Sequence, residues 1–276
     1  RSLESFDLHP QGHSLAVVAR GGAFTLGLWE GAPRRHGPVS SARQRLARWL
    51  PDGKRLVAVS DEGGEEALVV RAEDGSGTPR RIAGDFGRPV EMLAAPAGTD
   101  RVALSNQRQE LIVVDLATGR KRTLARSDWG RMEGMAWSAD GRWLAWGFPD
   151  TRRTCVIQLW DSAAGGAPGN ATPSGFRDVR PAFDPDGRWL YFVSWRIYDP
   201  VYDGMKSEYG FPRGSRPHLI PLRKDLPSPF AAATRPLRAP GAKDAPPAAP
   251  VKAGAKVPRR DAPKKPARVE IDLDGI

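Results

Sequence analysis

The stretch Phe183-Asp184-Pro185-Asp186-Gly187-Arg188-Trp189-Leu190-Tyr191-Phe192-Val193 decides the fold, because it is one of five copies of the same unit. In each copy a short turn rich in Pro, Asp or Gly joins two apolar, strand-like runs. Proline presets φ at the turn, aspartate bonds to its own backbone, and glycine supplies the positive φ that closes a tight reversal. Each copy therefore predicts a β-hairpin. The other copies run through residues 6–18, 49–59, 93–104 and 136–146.

The turn glycines repeat at the length of a propeller blade. They are separated by 41, 45, 43 and 46 residues, which is the period of a four-stranded blade. Two further strand-like runs follow each hairpin, and nothing in the chain suggests helices. The sequence thus predicts an all-β fold, a β-propeller with about five four-stranded blades. The five glycines are Gly12, Gly53, Gly98, Gly141 and Gly187.

Five blades leave two interpretations of the ring. Most propellers of this kind close with about six to eight blades. An open ring would leave two blade faces exposed to water, so we expect further blades beyond Ile276. The alternative is a closed ring of five blades.

Two segments depart from the repeat. Residues 196–214 form a long insertion with three Tyr and two Asp; we expect it to fold back on the fifth blade, although long ordered loops are often functional. Residues 231–268 hold 12 Ala, 8 Pro and no aromatic residue, so they cannot bury enough apolar surface to offset chain entropy and are predicted to be disordered. Blades 1–5 are assigned to residues 1–230, and residues 269–276 to a returning strand of blade 5.

The net charge of +10 is concentrated in one place. Residues 231–268 hold ten Lys and Arg against Asp244 and Asp261, which leaves the rest of the chain at only +2. The basic segment has no interleaved aromatic residues and no recognised nucleic-acid fold, so no nucleic-acid partner is predicted. No apolar run approaches the roughly 20 residues of a membrane span, so no membrane partner is predicted either.

The sequence contains no recognisable catalytic motif. The four histidines do not have metal-ligand spacing, and there is no nucleophile elbow or phosphate-binding loop. We therefore predict no catalytic residue, no metal and no cofactor. His9 is interpreted as a turn residue. The single cysteine, Cys155, excludes an internal disulfide and is predicted to be a buried hydrophobic residue on a strand.

One positive pattern is an arginine ten residues before four of the five turn glycines. In a propeller this position lies in the loop that leads to the innermost strand of a blade, so these arginines would surround one mouth of the central channel. Such an arginine ring could capture carboxylates, including the C-terminus of a peptide. The alternative is that each arginine holds local loop carbonyls. The four residues are Arg43, Arg88, Arg131 and Arg177.

Several stretches are recognisable beyond the repeat, and those of the insertion are more distinctive than the turns. They are Asp199-Pro200-Val201-Tyr202-Asp203, Gly210-Phe211-Pro212-Arg213-Gly214 and residues 6–10, 20–25, 50–56, 225–230 and 271–275. Together they resemble the second propeller of tricorn proteases and their bacterial homologues, nearly from end to end. The Ala/Pro/Lys-rich segment is the departure from that pattern.

The resemblance implies a large, cytoplasmic, oligomeric serine peptidase that trims oligopeptides. It also implies a six-bladed propeller before a seven-bladed one, with the catalytic Ser, His and Glu in later domains that flank a PDZ domain. None of the family's catalytic residues maps onto this chain, which would supply the first five blades of the seven-bladed ring.

We therefore expect a non-catalytic propeller segment that gates and steers oligopeptide substrates to a catalytic domain outside this chain. Its partners would be oligopeptides, further domains of the same polypeptide and copies of itself in a homo-oligomer. Two other functions stay open: a protein-interaction scaffold, and the propeller gate of another hydrolase, such as a prolyl oligopeptidase relative.

Overall fold

The computed structural model describes residues 3–37, 42–96, 98–205, 208–211, 213–230 and 268–273. Over these residues the chain forms strands, turns and bends, with no α-helix. The segment predicted to be disordered lies outside the described residues, except for Arg268.

The described strands form six antiparallel sheets: five blades that follow one another along the chain, and one two-stranded hairpin. Blade 1 contains β1 (Leu3–Leu8), β2 (Ser14–Ala19), β3 (Gly22–Gly27) and β4 (Arg34–His36). Blade 2 contains β5 (Gln44–Trp49), β6 (Arg55–Ser60), β7 (Ala67–Ala72) and β8 (Arg80–Ile82). Blade 3 contains β9 (Pro89–Ala94), β10 (Arg101–Asn106), β11 (Glu110–Asp115) and β12 (Lys121–Arg126). Blade 4 contains β13 (Met135–Trp137), β14 (Trp143–Phe148), β15 (Val156–Asp161) and β16 (Gly169–Asn170).

Blade 5 differs from the others because the insertion interrupts it. Its sheet has three described strands, in the order β17 (Arg177–Phe183), β18 (Trp189–Trp195) and β21 (Ser215–Pro221). The insertion forms a separate hairpin of β19 (Val201–Asp203) and β20 (Glu208–Gly210).

Residues 268–273 lie between blades 4 and 5. The amide of Asp272 donates to the carbonyl of Leu222 at 2.9 Å, and the amide of Val269 donates to Asp140 at 2.7 Å. Val269 is buried in the core shared by the two blades. Residues 268–273 form no regular strand, and the assignment of residues 269–276 to a strand of blade 5 stays a prediction.

The predicted hairpins are present because the turn glycines adopt the required backbone conformation. All five have positive φ, from 66° at Gly53 to 100° at Gly98. The amide of Gly53 donates to the carbonyl of Leu50 at 2.9 Å, and Gly141 repeats this bond with Ser138 at 2.8 Å. Each turn joins the first strand of its blade to the second.

The blades are held together by four apolar clusters, one for each pair of neighbouring blades. Val18 and Trp49 belong to the cluster between blades 1 and 2, and Val59 and Leu104 to the next. The third joins blades 3 and 4 and contains Trp146, and the fourth joins blades 4 and 5. Each fully buried Val or Leu contributes about 1.5–3 kcal/mol of transfer free energy, so the stacking of the blades is the main source of stability.

The burial pattern of the second strand shows whether both faces of its blade are covered. Nearly every residue of β6, β10 and β14 is buried, because these blades lie between two others. In β2 and β18, buried and less buried residues alternate, as expected for a strand with one covered face. One face of blade 1 and one face of blade 5 are thus not covered by the described residues.

The first strands of the blades converge on a common space. β1 lies beside β5, β5 beside β9, and β13 beside β17, and all five first strands line one cavity. This arrangement confirms the predicted all-β propeller fold, and it makes the central channel the place to look for a site.

Candidate functional site in the central channel

The end of the channel at the glycine turns is a wide apolar cavity, which we call the apolar basin. Its volume is about 680 Å³, and all five innermost strands contribute to its wall. Each strand supplies the residue that stands four positions before its turn glycine. These residues are Leu8, Trp49, Ala94, Trp137 and Phe183.

The two charged side chains of the basin form hydrogen bonds to backbone groups. Asp7 accepts the amide hydrogen of Trp49 at 2.8 Å, and burial raises the pKa of the Asp7 carboxyl. Arg48 donates from Nε to the carbonyl of Met92 at 2.9 Å and from Nη1 to that of Phe6 at 3.2 Å. These bonds tie blades 1, 2 and 3 together and consume hydrogen-bonding capacity that a ligand would otherwise use.

The opposite end of the channel is a second cavity, of about 740 Å³, which we call the charged pocket. It is built where β9, β13 and β17 begin, and it shares Met135 and Pro181 with the apolar basin. The two cavities therefore follow one another along the channel. The charged side chains that line the pocket are Glu91, Arg131, Glu133, Arg177 and Arg180.

Two charges of the pocket neutralise each other. The Nη2 atom of Arg177 bonds to Oε1 of Glu133, and the guanidinium lies 5.7 Å from the centre of the Trp195 ring. The ion pair and the aromatic ring both hold the guanidinium group by electrostatic attraction. The guanidinium group of Arg177 therefore already has a partner, Glu133, in the wall of the pocket.

The remaining charges leave a positive surplus. Within the described part of the chain, Arg131 and Arg180 have no side-chain hydrogen bond or ion pair, and both are exposed. Burial raises the pKa of Glu91, and the nearby Arg48, Arg131 and Arg180 oppose that rise. Two unpaired guanidinium groups thus face one half-buried carboxyl group.

A repeated backbone irregularity shapes the wall of the channel. Leu46, Gly134 and Arg180 each lie three residues after a predicted ring arginine, and all have positive φ, of 53°, 80° and 53°. In β5 and β17 the pairing register shifts at this point, as in a β-bulge. A bulge bends the strand and changes the direction of a side chain.

The structure brings together two of the four predicted ring arginines. Arg131 and Arg177 line the charged pocket, whereas Arg43 and Arg88 line neither cavity. Arg43 forms an exposed ion pair with Glu4 at 3.1 Å. Arg88 is exposed. The use of all four residues as a substrate site stays a prediction.

Reasoning from the sequence missed Arg180 and Glu91. The available signal was a charged residue inside a predicted innermost strand, where apolar residues dominate. Glu91 lies within β9 and Arg180 within β17. A period of about 44 residues aligns the turns of successive blades well. It does not show which strand residues face the channel, because a bulge changes the alternation of side chains between the two faces of a strand.

The other residues singled out from the sequence are structural. His9 is buried in the turn after β1; its Nδ1 accepts the amide of Gln11 at 3.0 Å, so the Nε2–H donates to the carbonyl of Gly53 at 2.9 Å, across to blade 2. Cys155 is buried, as predicted, and burial raises the pKa of its thiol to about 12.

Two classes of site find no support within the described residues. No group of three or more His, Cys, Asp or Glu side chains there is arranged to hold a metal ion. No helix in that part of the chain could cross a membrane.

Comparison with known proteins identifies the family. A family model described as the tricorn protease second beta propeller domain matches residues 3–276. The chain belongs to that family. The resemblance inferred from the distinctive stretches is thereby confirmed, and so is the assignment to the second tricorn propeller.

Tricorn-family relatives occur in bacteria and archaea. The chain is 35% identical over 221 residues to tricorn protease homolog 1 of Streptomyces coelicolor, covering 78% of this chain and 20% of that protein. It is 32% identical to a tricorn protease homolog of Saccharolobus solfataricus, covering 76% and 19%. The chain therefore spans about a fifth of the length of these relatives, which are larger proteins.

Solved structures support the same fold. The crystal structure of the tricorn protease matches with a TM-score of 0.72 at 22% identity, over 88% of this chain and 25% of that one. A putative TolB from Agrobacterium tumefaciens matches with a TM-score of 0.55 at 21% identity, over 80% and 77%. At these identities the structures show the propeller fold alone.

Proposed function

We propose that this tricorn propeller is the non-catalytic gate of a serine peptidase, and that it steers oligopeptides through its channel to a catalytic domain outside this chain. The parent protein would act in the cytoplasm as a homo-oligomer, with its other domains in the same polypeptide. Membership in the tricorn family and the greater length of the relatives support this proposal.

The observation that carries the proposal is the two-part channel. Five innermost strands line an apolar basin of about 680 Å³, and a charged pocket of about 740 Å³ continues it. A peptide carries both apolar side chains and charged termini, so it matches both parts of such a passage. Cavities of several hundred Å³ with few polar groups are typical of sites for small ligands.

The arginines at the mouth would assist by steering. Arg43, Arg88, Arg131 and Arg177 place positive charge where the innermost strands begin, and such a field raises the rate at which anionic peptides arrive. Because Arg43 and Arg177 are paired with glutamates, most of the effect would come from Arg88 and Arg131. Replacing both of these by alanine should slow the capture of anionic peptides at low salt and leave capture at high salt unchanged.

The direct test is to obstruct the channel in the full-length protein. Ala182 is exposed on β17 and lines the apolar basin, so the variant Ala182→Cys can be labelled there with a bulky maleimide. The native Cys155 is buried and should stay unlabelled. Labelling should lower kcat/KM for long fluorogenic peptides by about tenfold or more.

The matched control is Ala164→Cys, because Ala164 is exposed in the turn after β15 and lines neither cavity. Labelling at this position should leave hydrolysis unchanged. Undiminished hydrolysis of long peptides after labelling of Ala182→Cys would refute the gate. A full-length protein without any peptidase activity would favour the interaction scaffold instead.

A further inference from the structure

We infer that the charged pocket is a binding site for the free C-terminal carboxylate of a short peptide, held by Arg131 and Arg180, while an apolar side chain of the same peptide occupies the apolar basin. The inference deepens the proposed function and rests on it. It gives the bound peptide one orientation, with its C-terminus at the arginine end of the channel.

The first argument is the difference in available hydrogen-bond donors at the two ends. In the basin, Arg48 already donates to the backbone carbonyls of Met92 and Phe6. In the pocket, Arg177 is committed to Glu133. Arg131 and Arg180 have no such partners among the described residues. A guanidinium group presents paired N–H donors that match a carboxylate, so these two residues are the available anion receptors.

The second argument is how Arg180 is held. Its backbone is fixed at a φ of 53° inside the bulge of β17, and its amide donates to the carbonyl of Glu133 at 3.0 Å. Gly134 lies so close that a Cβ there would come within 2.9 Å of the Arg180 Cα atom. The base of the Arg180 side chain is therefore positioned beforehand against blade 4, the blade that supplies Arg131.

The third argument is the role of Glu91. Its carboxyl group is half-buried in the same pocket and lies near both arginines. A fixed negative charge beside an anion site competes with the incoming carboxylate and weakens its binding. Such a counter-charge suits a passage, because a peptide held too tightly would block the channel.

The basin supplies the other half of the recognition. Trp49, Trp137 and Phe183 stand in its wall, which also carries the prolines of three turns. Since the basin and the pocket share Met135 and Pro181, one short peptide can contact both. Apolar side chains gain free energy there by leaving water.

The test measures binding to the full-length protein by fluorescence anisotropy at low ionic strength. Three N-terminally labelled probes share one apolar tetrapeptide core: the free acid, its C-terminal amide, and an amide with an internal Glu. We expect the free acid to bind about tenfold or more tightly than either amide, as for a charge-assisted pair of hydrogen bonds. The preference should weaken as salt is added.

Variants assign the preference to residues. The double variant Arg131→Gln/Arg180→Gln should bind acid and amide equally. The control Arg120→Gln/Arg153→Gln removes the same charge from exposed residues that line neither cavity, and it should keep the preference. Glu91→Gln should tighten binding of the acid severalfold and leave the amide unchanged, which a merely structural role of Glu91 would not produce.

Several outcomes would overturn the inference. They are equal binding of acid and amide, equal binding of the acid and the Glu-containing amide, loss of preference in the control variant, and no binding of any probe. None of these outcomes changes the hydrolysis measured after labelling of Ala182→Cys, so failure of this site and failure of the gate are distinguishable.

Discussion

Replacing Trp146 by alanine should destabilise the propeller strongly, because this residue fills the core between blades 3 and 4. Its side chain is fully buried, in the middle of β14. A buried aromatic ring removes roughly 150–250 Å² from water, which at about 25 cal/mol/Å² corresponds to about 4–6 kcal/mol. Measured Trp→Ala costs in cores are about 3–5 kcal/mol. We expect a loss of about 4 kcal/mol, seen as a Tm lowered by about 8–16 °C in circular dichroism melts.

Two further variants separate packing from other effects of removing a tryptophan. Trp29→Ala is the exposed control, since Trp29 is 88% exposed, and it should change stability by less than about 0.5 kcal/mol. Trp146→Phe keeps most of the volume and removes an indole N–H that has no acceptor among the described residues, so it should cost only about 1 kcal/mol. If Trp146→Ala and Trp29→Ala melted at the same temperature, the stacking of blades as the main source of stability would be refuted.

Three more predictions concern turns, the thiol and an ion pair. Gly12→Ala should lower the free energy of unfolding by about 1 kcal/mol, because of its positive φ alone. Gly53→Ala should cost at least twice that in the same thermal melts. A Cβ at Gly53 would come within 2.6 Å of the imidazole of His9, which links blades 1 and 2. Burial raises the pKa of Cys155 to about 12, so a thiol-reactive dye at pH 8 should label it only in denaturant. Arg142 lowers the pKa of Asp161, so Asp161→Asn should cost about 1–2 kcal/mol in urea titrations at pH 7. That cost should begin to shrink as the pH falls to the ordinary carboxyl pKa of 3.8, where the unfolded chain becomes protonated, and it should be lost below the lower pKa of the folded state, where the folded wild type is protonated as well.

The blade architecture could be predicted because its signals are local. A turn glycine, its neighbouring Pro or Asp and the adjacent strand residues lie within about ten positions of each other, and their own φ preferences decide the reversal. The same locality made the burial of Cys155 predictable, although this residue lies just before β15 in an isolated bridge to Arg177 and not in the strand itself. The insertion of blade 5 was also visible, although its folding into β19 and β20 was not.

The channel site was only partly predictable because its residues meet across blades. The ring pattern pointed to Arg131 and Arg177, but pairing with Glu133 commits one of them and leaves the other available. Glu91 and Arg180 come from blades 3 and 5 and meet in one pocket. No sequence pattern predicts that these two side chains line the same pocket, since this depends on where each strand bulges and on how far each blade is rotated.

By itself, the sequence determined the all-β repeat, the five hairpins and the tricorn resemblance. Tertiary structure alone decided which charged side chains of the described residues form ion pairs. The physical reason is the separation of the partners: Arg45 and Pro89, Arg48 and Met92, and Arg177 and Glu133 each meet across 44 residues, one blade apart. Backbone preferences act within a turn, whereas contacts at that distance follow from the packing of whole blades.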